Sequence, residues 1–261
     1  MKAFAFILIV LHGYILFGQG EIDDQQTLFY RNERTFSFLL NSNGVGVGYR
    51  YAKRIDAFRK TLVEAEINYL KHPKEYRVLT AYERRIVYGK LNSVIVLKGA
   101  IGYQKELFQK RDLGGISIRS FYNLGPALAI QKPIYYQYSD NKGGYYTDEF
   151  KSHLSPYDFI GKAPLSEGLD KTSLSPGIYG KYGFSFEYSR IDQVYHALEL
   201  GLAFDAYFRE LKIMDTKPGK VFFILPDNYF VLTLFISYRF GKVIDAQYSN
   251  RSNRVEDILQ P

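Results

Sequence analysis

The sequence predicts an all-β protein: a single transmembrane antiparallel up-and-down β-barrel of eight strands, with ten as the alternative count, and a polar, plugged interior. Three observations carry this. Apolar residues recur at every second position over long runs, which is the period of a strand with one greasy and one polar face. The first twenty residues have the form of an export leader, and no later stretch approaches ~18 uncharged apolar residues, the length of a spanning helix. The composition is heavy in aromatics, with 24 Tyr and 20 Phe, residues that favour strands and collect at membrane–water interfaces.

In the leader, Lys2 forms a short positive region and Ala3 to Phe17 an apolar one, broken by His12 and Gly13. Gly18 and Gly20 supply the small residues before an acidic start, so 1–20 reads as a secretory signal peptide cleaved near Gly20. Its apolar run is short for an anchor, and no positive stop-transfer cluster follows. Removing it takes away one charge, Lys2, and the formal charge falls from +7 to +6. Residues 21–34 follow as an N-terminal periplasmic segment, 35–240 as the barrel and 241–261 as a periplasmic tail.

The strands come in order. "TFSFLLN" (35–41) puts Phe36, Phe38 and Leu40 on one face, and "SNG" (42–44) is a turn signal. In 45–54, Val45, Val47, Tyr49 and Tyr51 oppose Gly46, Gly48, Arg50 and Ala52. In 62–70, Val63, Ala65, Ile67 and Tyr69 oppose Glu64, Glu66 and Asn68. The stretch 93–104 is apolar, with Lys98 on one face, and 115–138 is a long strand kinked or bulged at Gly125-Pro126. In 178–189, Tyr182, Phe184, Phe186 and Tyr188 oppose Lys181, Gly183, Ser185 and Glu187. In 198–208, Leu198, Leu200, Leu202 and Phe204 alternate with Glu199, Gly201, Ala203 and Asp205. The last strand, 229–240, sets Phe230, Leu232, Leu234, Ile236, Tyr238 and Phe240 against Thr233, Ser237 and Arg239.

A secreted β-sandwich would also alternate, so the choice of solvent rests on further features. Strands of about 9–12 residues suit a tilted membrane span better than the ~5–6 of soluble strands. The polar faces mix glycines with charges of both signs, which a tight barrel interior accepts and a water-facing strand does not favour. Tyr and Phe gather near strand ends, as interfacial girdles require. Three connections are long (71–91, 139–176, 209–228) and the rest short. Long loops face outward and the termini lie on the periplasmic side, so parity allows eight strands only if 115–138 is one strand.

An eight-stranded interior is just wide enough for side chains. The inward charges Arg50, Glu64, Glu66, Lys98, Arg119, Lys181, Glu187, Glu199, Asp205 and Arg239 should therefore pair and fill it, because a lone buried charge is costly. Glu199 and Asp205 are expected to face Arg50, Arg119, Lys181 or Arg239. The alternative is a narrow ion path through the same network, a channel or porin-like role.

The absence of Cys excludes a disulfide scaffold and a thiolate metal site. Lys and Arg are scattered without a basic stripe, so no nucleic-acid partner is expected. His72, His153 and His196 show no metal-ligand spacing. "SHLSPYD" (152–158) contains His153-x-Ser155, superficially like the pair of outer-membrane lipid A deacylases, and gives a lipid-modifying enzyme as a further alternative. It lies in a long loop beside Pro156, and the expectation is no enzyme, no cofactor and no metal.

The stretches "NSNGVGVGYRYAKR", "LKHPKEYR" and "YGKLNS", then "GGISIRSFYNLGPALAIQKPIYYQY", then "FIGKAPLSEGLD" with "SPGIYGKYGFSFEYS", resemble a family of outer-membrane β-barrel proteins from Bacteroidota. The likeness runs from about Phe36 to Phe240. It implies a barrel in the outer membrane and an accessory place in envelope assembly or secretion machinery, and it brings no catalytic residues. One departure is that barrels of this kind usually end on an aromatic; Phe240 fits, but 241–261 follow it. The expected partners are outer-membrane lipid, lipopolysaccharide and other envelope proteins. Tyr145, Tyr146, Phe150, Tyr157 and Phe159 of the 139–176 loop are the candidate contact residues, since Tyr and Phe are favoured at interfaces.

Overall fold

The structure, a computed structural model, describes residues 31–110, 114–139, 144–190, 193–215 and 229–245. The leader (1–20), 21–30, most of the third long loop (216–228) and 246–261 of the tail lie outside the described residues. The strands, in chain order, are β1 (Arg31–Asn41), β2 (Gly44–Arg54), β3 (Arg59–Leu70), β4 (Arg77–Leu79), β5 (Arg85–Val87), β6 (Asn92–Phe108) and β7 (Ser117–Pro133). They continue with β8 (Tyr135–Ser139), β9 (Tyr145–Glu149), β10 (Phe159–Lys162), β11 (Ser173–Glu187), β12 (Val194–Tyr207) and β13 (Phe230–Asp245).

Eight of these close into one antiparallel barrel in the order β1-β13-β12-β11-β7-β6-β3-β2. Each barrel strand pairs with its neighbour in the chain, and the first pairs with the last from Arg31↔Asp245 to Asn41↔Phe235. Closure leaves no edge strand to be satisfied, the condition for a sheet to live in hydrocarbon. No described helix is long and apolar enough to cross a membrane.

The dyad pattern sorts the faces. Phe36, Phe38, Leu40, Val63, Ile67, Ile101, Leu124, Leu200, Leu202 and Ile236 all point outward and are exposed. Their neighbours Ser37, Arg50, Glu64, Glu66, Lys181, Glu199 and Arg239 point inward and are buried. On the outside, rings meet across adjacent strands: Phe36 lies 5.2 Å from Tyr49, Phe38 lies 5.9 Å from Phe240, and His196 stacks on Tyr238 at 6.1 Å. The β1–β2 turn is two residues long and needs Gly44, whose φ is +153° and whose added Cβ would lie 1.9 Å from Tyr69 O.

Three sequence expectations are corrected. β13 runs five residues past Phe240, because Gly241 to Asp245 still find partners in β1. The register of β7 holds unbroken against β11 through Gly125 and Pro126. Against β6 the pairing skips these two residues and resumes in step, since Pro126 has no N–H to give. The register shift in that pair lies instead between Glu106 and Phe108. The long strand expected over 115–138 breaks at Ile134. Its end, β8, leaves the barrel and forms a second sheet in the order β10-β8-β9, and β4 and β5 make a separate hairpin nearby.

Candidate functional site

The barrel interior is graded. At its centre, Glu64 accepts from Arg50 Nη2 at 3.1 Å and Arg239 Nη2 at 2.5 Å, and also from the Asn123 amide. Glu199 accepts from Arg50 Nη1 at 2.6 Å and lies 3.0 Å from Arg239 Nε. Lys181 bonds Glu66 at 2.6 Å and stands 3.8 Å from Glu64. Three cations thus meet three carboxylates, all close to fully buried.

Two rings share this centre. The Arg50 guanidinium lies 4.6 Å from the Phe121 ring and Lys181 Nζ lies 4.6 Å from the Phe235 ring, contacts that favour a cation over an aromatic face. Gly183 and Gly201 pair across β11 and β12 and make the room. A Cβ on Gly183 would come within 3.1 Å of both Phe121 and Phe235.

Toward the short-turn end, a second group forms. Glu33 bonds Lys60 and, at 3.2 Å, Arg119 Nη1. Arg119 also meets Glu187 and, at 3.7 Å, Glu106, while Lys110 bonds Glu187 at 3.0 Å. Toward the long-loop end, Lys98 and Asp205 pair at 2.6 Å. All ten charges singled out in the sequence thus lie inside the barrel, each with an opposite charge. Glu199 has two of the expected partners, Arg50 and Arg239, whereas Asp205 pairs with Lys98, which was not among them. Glu33, Lys60 and Glu106 lie inside as well, beyond the strand bounds that the sequence suggests, and Lys110 joins them from the segment after β6. Parity was the available signal for the strand residues: Glu33 continues the inward series of Thr35 and Ser37, and Lys60 that of Leu62 and Glu64.

Above Lys98 and Asp205 the interior turns apolar. Leu70, Val94, Val96, Ala127, Ala129, Tyr179, Tyr207 and Val231 form one cluster with Leu211, Ile213 and Met214. Those last three belong to the third long loop, whose start bends back over the mouth of the barrel. Leu91 N–H donates to Ile213 O at 2.9 Å, Asp215 N–H to Gly89 O at 2.7 Å and Lys212 N–H to Gln131 Oε1 at 2.9 Å. Ion pairs thus occupy the lower and middle interior, and the apolar cluster with Leu211, Ile213 and Met214 lies above them.

Outside the mouth, the first and second long loops fold together. Ile86, Tyr136, Tyr138 and Phe159 are buried as a separate core, with Val78, Tyr88, Ile134, Phe150 and Leu154 against it. The rings interlock edge to face, with Tyr136 and Phe159 at 5.3 Å and Tyr88 and Phe150 at 5.1 Å. Their hydroxyls tie the loops together: Tyr136 donates to Lys90 O at 2.9 Å and Tyr88 to Leu154 O at 2.8 Å. Tyr138 donates to Glu149 O at 2.9 Å. Burial raises both the Tyr136 and Tyr138 phenols, and Tyr138 reaches about 12 despite an opposing hydrogen bond from the Lys151 N–H.

The five candidate contact residues divide in this module. Phe159 is in its core and Phe150 packs against that core, so these two hold the loops together. Tyr145, Tyr146 and Tyr157 stay exposed; Tyr145 and Tyr157 are 70% and 71% accessible, and Tyr146 stacks on Tyr138 at 5.3 Å. Ser155 is engaged as a cap: its Oγ accepts from Tyr157 N–H at the 3-10 turn Pro156–Asp158, and Asp158 reaches back to Ser155 N–H at 2.9 Å. His153 is exposed just before this turn, and among the described residues no hydrogen bond joins it to Ser155. Among the described residues, no group of three or more His, Asp or Glu is placed to hold a metal ion.

No family model and no curated protein sequence matches the chain. Two solved structures share the general layout at low similarity. The crystal structure of Neisserial surface protein A overlays with a TM-score of 0.36 at 10% identity, covering 81% of this chain and 96% of that one. Ail, the attachment invasion locus protein of Yersinia pestis, solved with the heparin analogue sucrose octasulfate, overlays with a TM-score of 0.38 at 6% identity, covering 82% and 99%. At such scores the likeness carries nothing beyond itself, and the case for a membrane protein rests on the barrel's own two faces.

Proposed function

We propose that this protein is a non-enzymatic outer-membrane barrel that acts as a scaffold or accessory subunit in an envelope assembly or secretion complex, docking another envelope protein through its outer loops. Membrane residence is supported by the reversal of the usual burial pattern: leucines, isoleucines and phenylalanines face out and paired charges face in. The filled interior and the Leu211–Met214 cap argue for a closed barrel rather than a channel. Planar-bilayer recordings should accordingly show no unitary currents.

The observation that carries the docking role is the loop module. It has its own core, and it presents the Tyr145 and Tyr157 rings at its surface. Exposed tyrosines on a folded surface are the kind of anchor that interfaces use. The test is affinity purification in mild detergent with mass spectrometry, comparing the native chain with a Tyr145→Ser, Tyr157→Ser double variant. A stoichiometric partner retained by the native chain and lost by the variant supports the role. Failure to recover any stoichiometric partner removes it. Point changes are the right tool, because deleting 141–160 would cut away β9 and the Phe150 and Phe159 rings that hold the module.

A further inference from the structure

At the long-loop end a cleft of about 640 Å³ opens between the β1–β2 turn, the segment after β3, β5 and β10. Five basic side chains line it, Lys71, Arg77, Arg85, Lys90 and Lys162, with one carboxylate, Glu75. Lys90 is almost fully buried and takes that carboxylate, its Nζ lying 2.7 Å from Glu75 Oε1 and 3.0 Å from Tyr69 Oη. Among the described residues, the other four have no carboxylate within salt-bridge distance. This is the reverse of the barrel interior, where Arg50, Lys60, Lys98, Lys110, Arg119, Lys181 and Arg239 each meet an acid.

The four unmatched cations come from four segments: Lys71 after β3, Arg77 and Arg85 on one face of the β4–β5 hairpin, and Lys162 at the end of β10, which the fold brings to them. Like charges gathered in a concave wall repel one another and focus a positive field into the cleft. Lys162 lies in this field: its ammonium is held below its usual range first by desolvation, and Lys90 and Arg77 push the same way, against Tyr69 and Glu75. Such an arrangement becomes favourable when an anion supplies the missing charge. One small ion could satisfy one or two of these side chains. Cations spread around a cleft of this volume call for several oxyanions on one rigid frame, and the volume lies within the ~300–1,000 Å³ that holds small organic ligands.

The height of the cleft narrows the source. It borders Val45 and Tyr69, next to Leu40, which is 66% exposed on the apolar outer face. It therefore opens where hydrocarbon gives way to headgroups. We propose that this cleft binds phosphate or sulfate groups carried on a saccharide, with Lys71, Arg77, Arg85 and Lys162 as the oxyanion contacts and Lys90 fixed at the floor. The same chemistry comes from the phosphorylated sugar headgroup of the surrounding glycolipid or from a soluble anionic glycan. Only the first source rests on the membrane reading given above, and neither depends on protein docking through Tyr145 and Tyr157.

The test is isothermal titration of the full chain, folded in zwitterionic detergent at physiological salt, with two probes. One is inositol hexakisphosphate; the other is bisphosphorylated lipid A in the same micelles, with the dephosphorylated lipid as control. Saturable binding is expected, weakened on the order of a hundredfold by Arg77→Ala with Lys162→Ala, at about tenfold for each lost charge-assisted contact. Lys53→Ala removes an exposed charge from the opposite end of β2 and should leave binding unchanged. Heat-modifiable gel mobility reports that each variant is still a barrel. Binding of the soluble probe alone identifies a soluble glycan as the source, and tighter binding of lipid A that requires its phosphates identifies the headgroup. Binding of neither probe, or binding that the Arg77 and Lys162 changes do not weaken more than Lys53→Ala does, overturns the assignment.

Discussion

Inside the barrel, Arg50, Glu64, Lys181, Glu199 and Arg239 are held together by charge; above the mouth, Tyr136, Tyr138, Phe150 and Phe159 are held together by ring packing. The two regions belong to one chain and draw on the same aromatic-rich, net basic composition. They differ in what surrounds them. The barrel strands turn most of their large apolar side chains outward, and the middle of their inner face is left to charges, glycines and a few rings such as Phe121 and Phe235. The loop module is surrounded by water, and it makes the usual choice of burying its rings. Inside the barrel a charge is tolerated only with its partner in place, whereas a ring in the module is replaceable at the cost of a cavity. The same comparison sets how each region should fail.

The largest effect is expected at Glu64. Its carboxylate serves Arg50, Arg239 and Asn123 and stands near Lys181. Glu64→Ala leaves these cations with one acid fewer in a space closed to water, and loss of one partner from a buried ion pair costs about 3–5 kcal/mol. Urea unfolding read by heat-modifiable gel mobility should show that loss across the whole barrel. A second change, Arg239→Met, should return part of it, since it removes a charge that Glu64→Ala leaves over. If the double variant is no more stable than the single, the network is not acting as a charge-balanced unit.

Next comes Phe159→Ala, which empties the centre of the loop module. Large aromatic truncations in a core cost about 3–5 kcal/mol. Here that cost should fall on the module alone. Proteolysis and amide exchange should rise over 135–162 while the barrel keeps its gel mobility. Concerted loss of both would show that the module and the barrel are a single cooperative unit. Gly183→Ala should act in the opposite region and more mildly. Its new methyl meets Phe121 and Phe235 at 3.1 Å and the Leu200 carbonyl at 2.6 Å, and overpacking of this kind costs about 1–3 kcal/mol. Its signature is a weaker barrel with an unchanged module.

The contrast also explains what the sequence could and could not convey. A membrane strand has to alternate over its full length, so all eight barrel strands and the ten inner charges followed from a period of two. Alternation is masked near the short turns, where polar residues occupy both faces. Glu33, Lys60 and Glu106 are hidden there, although they extend the inward series of β1, β3 and β6, and Lys110 lies past the end of β6, where no series reaches. The module had no such signal: β4 and β5 are three residues each and β8 to β10 four or five, too short for periodicity to register. Tyr136 and Tyr138 were read as the end of a long barrel strand, because nothing local to Pro133 and Ile134 announces a change of sheet. Leu211, Ile213 and Met214 lie in a loop whose path over the mouth depends on Gly89 and Leu91 far away in the chain. The basic cleft gathers residues from 71 to 162, so only the fold could bring them together.

The smallest effect separates the two regions by pH. In the module, burial raises the Tyr136 and Tyr138 phenols, Tyr138 from 10 to about 12. A raised folded value means that the folded module holds these protons more tightly than the unfolded chain does. The associated stability is fully present below pH 10 and is lost as the pH rises from 10 toward about 12. Loss should appear as opening of β8 to β10, where Tyr138 hydroxyl links Glu149 O to Lys151 N–H and Tyr136 hydroxyl links to Lys90 O. Amide exchange, corrected for its intrinsic pH dependence, would follow this opening in the 135–162 segment between pH 9 and pH 11.5. Tyr138→Phe removes one of the two titrating phenols and should weaken the pH dependence while lowering stability at pH 8, because the Glu149 carbonyl and the Lys151 N–H lose their partner. A native module that stays closed throughout, or a Phe variant with the same alkaline profile, would show that these phenols do not couple to the fold of the loops.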